Sequence, residues 1–444
     1  MKKASIPLLL SILSLNLIAA DSPDPGYVAH EWGTFTSVLG SDGKVIRWNS
    51  LATSVLPDFV YSRTRPFHDV ALDNETIMLA GKTDGFWEQR METPVIYFHS
   101  DRPRTLDVRV DFPRGLVTEW YPQVSGFGPS PGLSSLVPKT TNSFASWDKV
   151  AVSAETVTDS EYRALKKGQA PNHYYHAREA SASLLQTSNA LGKDSQNQQE
   201  RFLFYRGVGN FSTPLKVTMD PAGAKLRLAN SGKQGLNHLF LLTVKDGLAG
   251  FARLPQIPAG GSQETQLSLV DKKELVSLNS QQLSADLARV LEAEGLFADE
   301  AIAMVKTWRE SWLEEEGTRV LYLLPREWTD QTLPLTLKPA PKKLVRVMVG
   351  RAEILTPKIE GELLARFSQF SHPASREQAI AGIQALKLGR FMEPAFARLR
   401  EMIPVANATP EEVARPVYEF QSAVQSRANA QSSQSVKDKS VALK

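Results

Sequence analysis

The stretch from Ala29 to Trp48, AHEWGTFTSVLGSDGKVIRW, carries the reading of the fold. The run to Leu39 is β-prone, Gly40-Ser41-Asp42-Gly43 is a turn signal, and Lys44 to Trp48 is β-prone again. The spacing therefore predicts a hairpin that pairs Gly33–Leu39 with Lys44–Trp48. In an extended chain successive side chains point to opposite faces. Glu31, Gly33, Phe35, Ser37 and Leu39 then share one face, to which the turn adds Ile46 and Trp48. His30, Trp32, Thr34, Thr36 and Val38 share the other with Val45 and Arg47. On a regular strand, His30 and Glu31 cannot act as a dyad. A carboxylate on the apolar face must be paired, hydrogen-bonded or kept neutral. Glu31 is thus either ion-paired with an arginine between sheets, or a functional acid beside the gap that Gly33 leaves.

Outward from this strand, residues 21–152 read as β-rich. In Thr105–Pro113, Leu106, Val108, Val110 and Phe112 alternate with Asp107, Arg109 and Asp111, giving one dry and one wet face. Pro94–Ser100, PVIYFHS, is apolar on both faces and reads as a buried strand that begins at its proline. Residues 153–200 form a polar insertion with short helices and a mobile tip at GKDSQNQQE. Residues 201–356 return to strand, interrupted by a helical pair at 281–315. In that pair Leu283, Leu287, Val290 and Leu291 make one stripe, and Met304, Trp308 and Trp312 another. Residues 357–426 read as a helical C-terminal unit and 427–444 as a disordered tail. The fold class expected is mainly β, an antiparallel β-sandwich or two, with a helical excursion and an α-helical C-terminal unit.

Composition narrows the function. Lys2 and Lys3, the apolar run from Ile6 to Ile18, and Ala19-Ala20 read as a signal peptide over residues 1–20, too short to span a bilayer. The mature chain is expected to be periplasmic or secreted, with no integral membrane segment. There is no cysteine, which excludes disulfides, thiolate metal sites and a catalytic thiol. Removing the two leader lysines lowers the net charge from +3 to +1, and no basic run suggests nucleic acid.

Three constellations carry candidate chemistry. Glu31, Glu92 and Glu119 lie at strand-like positions among aromatics; brought together they would be acids of a glycan site, with Trp32, Trp120 and Tyr121 as stacking platforms. His173, His176 and Glu179 follow at intervals of three in NHYYHARE and could share a metal, drifting about 60° per step on an α-helix. His30, His68 and His99 are a second possible metal set. No phosphate loop and no Gly-x-Ser-x-Gly elbow is present.

With HEWGTFTSV, RMETPVIYFHS, TEWYP and FLFYRGVGNF in view, the chain resembles hypothetical secreted bacterial proteins whose mature part opens with a His-Glu-Trp-Gly-Thr-Phe-Thr stretch. The resemblance covers most of the mature chain. It implies export and carries over no catalytic residue or cofactor. Three functions follow as expectations: an exported protein acting on or binding glycans; a non-catalytic envelope scaffold with a partner on its helical end; and a histidine-based, metal-dependent hydrolase. The sequence alone names no cofactor and leaves open whether the protein is an enzyme.

Overall fold

The computed structural model describes residues 24–50, 56–63, 86–129, 143–154, 172–188, 197–245, 248–266, 270–404 and 410–442. The expected leader, His68 and residues 192–196 of the expected mobile tip lie outside the described residues, whereas Gln198–Glu200 at its end pair as a strand with Leu185–Thr187. Among the described residues strands make up 41% and helices 33%, the helices mostly in the C-terminal part, so the chain is a β+α multidomain protein.

The first strand, Asp24–Leu39, sits near the middle of a ten-stranded sheet among the described residues. On one side it pairs antiparallel with Gln89–Ser100, and on the other it runs parallel to Pro341–Ile354. That parallel pair departs from an all-antiparallel reading. Phe202–Gly209 and Gly115–Tyr121 continue the sheet beyond Gln89–Ser100, and Gly317–Leu323 and Asn237–Lys245 continue it beyond Pro341–Ile354. A six-stranded sheet includes Arg104–Phe112, where Leu106, Val108, Val110 and Phe112 are buried as their alternation requires. A three-stranded sheet completes the β part.

The hairpin expected after Leu39 is only a remnant. Leu39 meets Val45 in a single bridge, and the Ile46 amide donates to the Val38 carbonyl. The loop thus holds an odd number of residues. Either even loop would have sent Ile46 and Trp48 to Glu31's side; the odd loop reverses the second arm, and both pack with Val38 in a second core formed by the C-terminal helices. The first strand instead spends its hydrogen bonds on two distant strands, which supply a longer ladder than the hairpin could.

A second correction concerns Pro94. Gln89–Ser100 runs straight through it, because a bulge at Thr93, with φ of +50°, removes the residues there from regular pairing. A third concerns the C-terminal tail: the last helix, Pro410–Ala442, continues through the residues expected to be disordered. Its Ala-, Gln-, Ser- and Lys-rich composition is compatible with a polar helix.

The two faces of the large sheet have different covers. Glu31's face looks toward the six-stranded sheet; Phe35 meets Trp328 at 5.4 Å and Phe211 at 5.9 Å, and Phe211 meets Phe112 at 5.8 Å. His30's face is covered by helices. At the His30 end lie Lys272–Ala293 and Ala298–Arg309, the expected helical pair, with Leu283, Leu287, Trp308 and Trp312 buried. At the Val38 end lie the helices Pro357–Phe370, Arg376–Ala385 and Met392–Met402.

Candidate functional site

From Val28 to Leu39 the first strand keeps an unbroken register against Pro341–Ile354, which places His30 opposite Val345 and Glu31 opposite Arg346. Their side chains therefore leave the sheet on opposite faces. Glu31, wholly buried, accepts from Arg346 Nε at 2.5 Å and from the Tyr205 hydroxyl at 2.5 Å. Arg346 also reaches Asp330 at 2.9 Å. Burial and the negative Glu31 push the Tyr205 phenol well above its ordinary value, so it stays a donor. The gap at Gly33 is filled: a Cβ there would lie 3.0 Å from Pro94 and 3.1 Å from the Met348 sulfur. The glycine is needed for close packing at the bulge, so it is no opening for a ligand.

The glutamates singled out in the sequence do not share one cleft. Glu92 pairs in register with Thr34, three residues beyond Glu31 and hence on the other face. There it accepts from Thr36 Oγ1 at 3.0 Å and pairs with Arg90 at 2.9 Å and Arg390 at 3.0 Å. Burial alone would push this carboxyl up; Arg390, Arg90 and Arg206 together hold it at about 2. Glu119 is half-buried, accepts from Thr118 Oγ1, and lies across from Arg206 two strands away from Glu92, about 10 Å by strand spacing. Trp32 and Trp120 are wholly buried and Tyr121 nearly so, which leaves no open aromatic platform among them. Trp120 donates its indole N–H to Gln123 at 2.8 Å.

His173, His176 and Glu179 lie in a 3-10 helix, His173–Glu179, where residues three apart eclipse instead of drifting. His176 and Glu179 pair with each other at 2.7 Å, and Glu179 with Lys306 at 2.6 Å, all substantially exposed. His173 packs near Trp308.

A different set does converge. His30 Nδ1 lies 2.7 Å from one oxygen of Glu300, and His99 Nε2 lies 2.8 Å from the other. The three ligand atoms fall within 4.8 Å of one another, the one such group found among the described residues. Each residue arrives from its own element. His99 pairs in register with Val28, two positions from His30, so the two imidazoles sit diagonally on one face of neighbouring strands. Glu300 comes from the first turn of the Ala298–Arg309 helix and also accepts from the Phe297 amide at 2.8 Å. Burial would push the Glu300 carboxyl up, but hydrogen bonds from His30 and His99 hold it below its ordinary value, ionised.

The Phe297 ring lies edge-on to both imidazoles, at 4.5 and 4.6 Å, while remaining 46% exposed. It forms a roof with water above it. His99 is also on the wall of a cleft of about 390 Å³, lined further by Ser100, Asp101, Ser183 and Lys342. The sequence offered His30 and His99 in one set with His68, which lies outside the described residues. It gave no reason to join Glu300, whose one local signal is a glutamate near the start of a helix.

No protein-family model matches this chain, and no curated protein does. Among solved structures, the yeast delta-COP-I mu-homology domain is similar with a TM-score of 0.25 and 7% identity, over 75% of this chain and 100% of that one. The same yeast domain complexed with the Dsl1 WxWxV peptide gives a TM-score of 0.23 and 8% identity, over 75% and 98%. Likenesses at this level carry no argument about fold or function. No helix among the described residues is long and apolar enough to cross a membrane.

Proposed function

We propose that this is an exported, metal-dependent hydrolase whose His30, His99 and Glu300 hold one divalent transition-metal ion of the zinc type. The observation that carries the reading is the convergence of two imidazole nitrogens and one carboxylate, from three separate elements, inside 4.8 Å. Two histidines and a carboxylate form a donor set known from hydrolytic zinc sites, one that leaves a coordination position open. A bound ion would supply Lewis-acid polarisation of a substrate oxygen or a water.

The chain's own residues account for the rest. Glu300 is held ionised by its neighbours, His30 is fixed in the dry interior, and Phe297 limits the approach of bulk water. His99 is the member that faces the cleft. Lys342 and Asp101 at that cleft suit a small polar substrate.

Elemental analysis of the purified protein tests the reading, combined with a screen of chromogenic esters and phosphoesters before and after chelation. About one equivalent of metal is expected, lost together with turnover in Glu300→Gln and His99→Ala. Absence of stoichiometric metal, with no rise in melting temperature on adding zinc, manganese or cobalt, would reduce the triad to a hydrogen-bonded clamp between helix and sheet.

A further inference from the structure

The cleft of about 390 Å³ beside His99 opens where three strands of the large sheet lie side by side. Lys343 stands in register with Val28, and Val28 with His99, so the backbone of neighbouring Lys342 is about 10 Å from that of His99 by two strand spacings. The cleft lies within the range of small-molecule pockets, and both residues line it.

Two donors on its wall are unspent. Lys342 is exposed, and among the described residues its ammonium meets no carboxylate and no carbonyl. Asp101, on the same wall, is already engaged, with Arg104 Nη2 at 2.5 Å. Ser183 supplies the other donor. It is 2% exposed, its hydroxyl accepts from the Ser100 amide at 3.2 Å, and no acceptor among the described residues takes the hydroxyl's own proton. Buried hydroxyls ordinarily spend that proton on an acceptor. A free ammonium and an unspent O–H on one wall both call for an oxygen that carries negative charge.

We propose that the cleft takes a small ester with a carboxylate on its acyl part, the carboxylate held by Lys342 and Ser183 while the acyl carbon lies toward His99. The assignment rests on the metal-dependent hydrolysis proposed above and narrows its substrate. One lysine answers one negative charge, whereas a phosphate monoester carries close to two at neutral pH and would be left half answered. In the reaction a water oxygen bonds to the acyl carbon and the bond from that carbon to the alcohol oxygen breaks. One water proton goes to the alcohol and the other to solvent, so the acyl product leaves with two carboxylates.

Steady-state kinetics of the purified full chain with the mono-4-nitrophenyl ester of adipic acid, the same ester with its free carboxylate methylated, and 4-nitrophenyl phosphate test the assignment. KM should be about fivefold lower for the charged ester than for the uncharged one. Lys342→Gln should erase that difference, with the loss falling on KM rather than kcat, and Lys342→Arg should keep it. Hexanoate, which cannot be hydrolysed, separates the anion site from the metal centre. Followed by ligand-observed NMR, it should bind Glu300→Gln saturably and fail to bind the Lys342→Gln, Glu300→Gln double variant. Such binding without turnover of any ester keeps the carboxylate site and overturns the hydrolase. Turnover with equal KM for the charged and uncharged esters keeps the hydrolase and overturns the carboxylate site, as does a preference for 4-nitrophenyl phosphate or hexanoate binding that is indifferent to Lys342.

Discussion

Glu31 and Glu300 are both wholly buried carboxylates, each serving one face of the first strand, and they differ in what holds them. Glu31 is locked by a guanidinium that Glu31 itself, against the effect of burial, holds above its already high ordinary value, and by a phenol that cannot ionise in its company. Neither of these two donors gives up its proton near neutral pH. Glu300 is held by two imidazoles, groups that can exchange a proton for a metal without leaving their places. The contrast teaches that burial of an acid does not by itself mark a site; the chemistry of its partners decides whether it can do anything.

The comparison is broken most directly at Glu31. Glu31→Gln should destabilise the protein by about 3–5 kcal/mol, because Arg346 stays buried with only Asp330 to answer it. Chemical denaturation measures this, and a loss under about 1 kcal/mol would remove the structural role assigned to the pair. Glu92 sharpens the contrast, since it shares a face with His30 but has Glu31's kind of partner. Its folded carboxyl titrates near 2 against an ordinary 4.5, so its contribution is complete above about pH 4.5 and is lost as pH falls toward 2. About 3 kcal/mol should vanish across that window. The acid limb of a stability profile should flatten in Glu92→Gln; an unchanged limb would detach Glu92 from acid unfolding. The smallest effect belongs to the roof over the histidines. Phe297→Ala should cost under about 1 kcal/mol, because the ring is already half in water, yet under the proposed metal binding a chelator should strip the ion faster from the variant. Equal stripping rates would show that the ring guards nothing.

Much of this was legible in the chain. Strict alternation along HEWGTFTSVL sends His30 and Glu31 apart, and a carboxylate among Phe35 and Leu39 had to find a partner. The identity of that partner was not legible, because Arg346 is 315 residues away and joins through a parallel pairing that no local turn announces. Glu300 was hidden for the same reason. It is brought to His30 across 270 residues by the placement of a helix, and helix placement on a sheet is a matter of packing. Gly33 misled in the other direction: a missing side chain reads as an opening until the neighbouring strand, kinked at Thr93 and Pro94, is seen to occupy it. The turn after Gly40 was recognised, but whether its loop is odd or even depends on a single residue, and that residue decides which core receives Ile46 and Trp48.

The parallel ladder between Asp24–Leu39 and Pro341–Ile354 also bears on how the molecule comes into being. Pairings so remote along the chain close slowly, and during synthesis the middle of the sheet must wait, one edge exposed, until the ribosome has passed the codon for Ile354. Such a polypeptide cannot lock into its final form until most of it has been made.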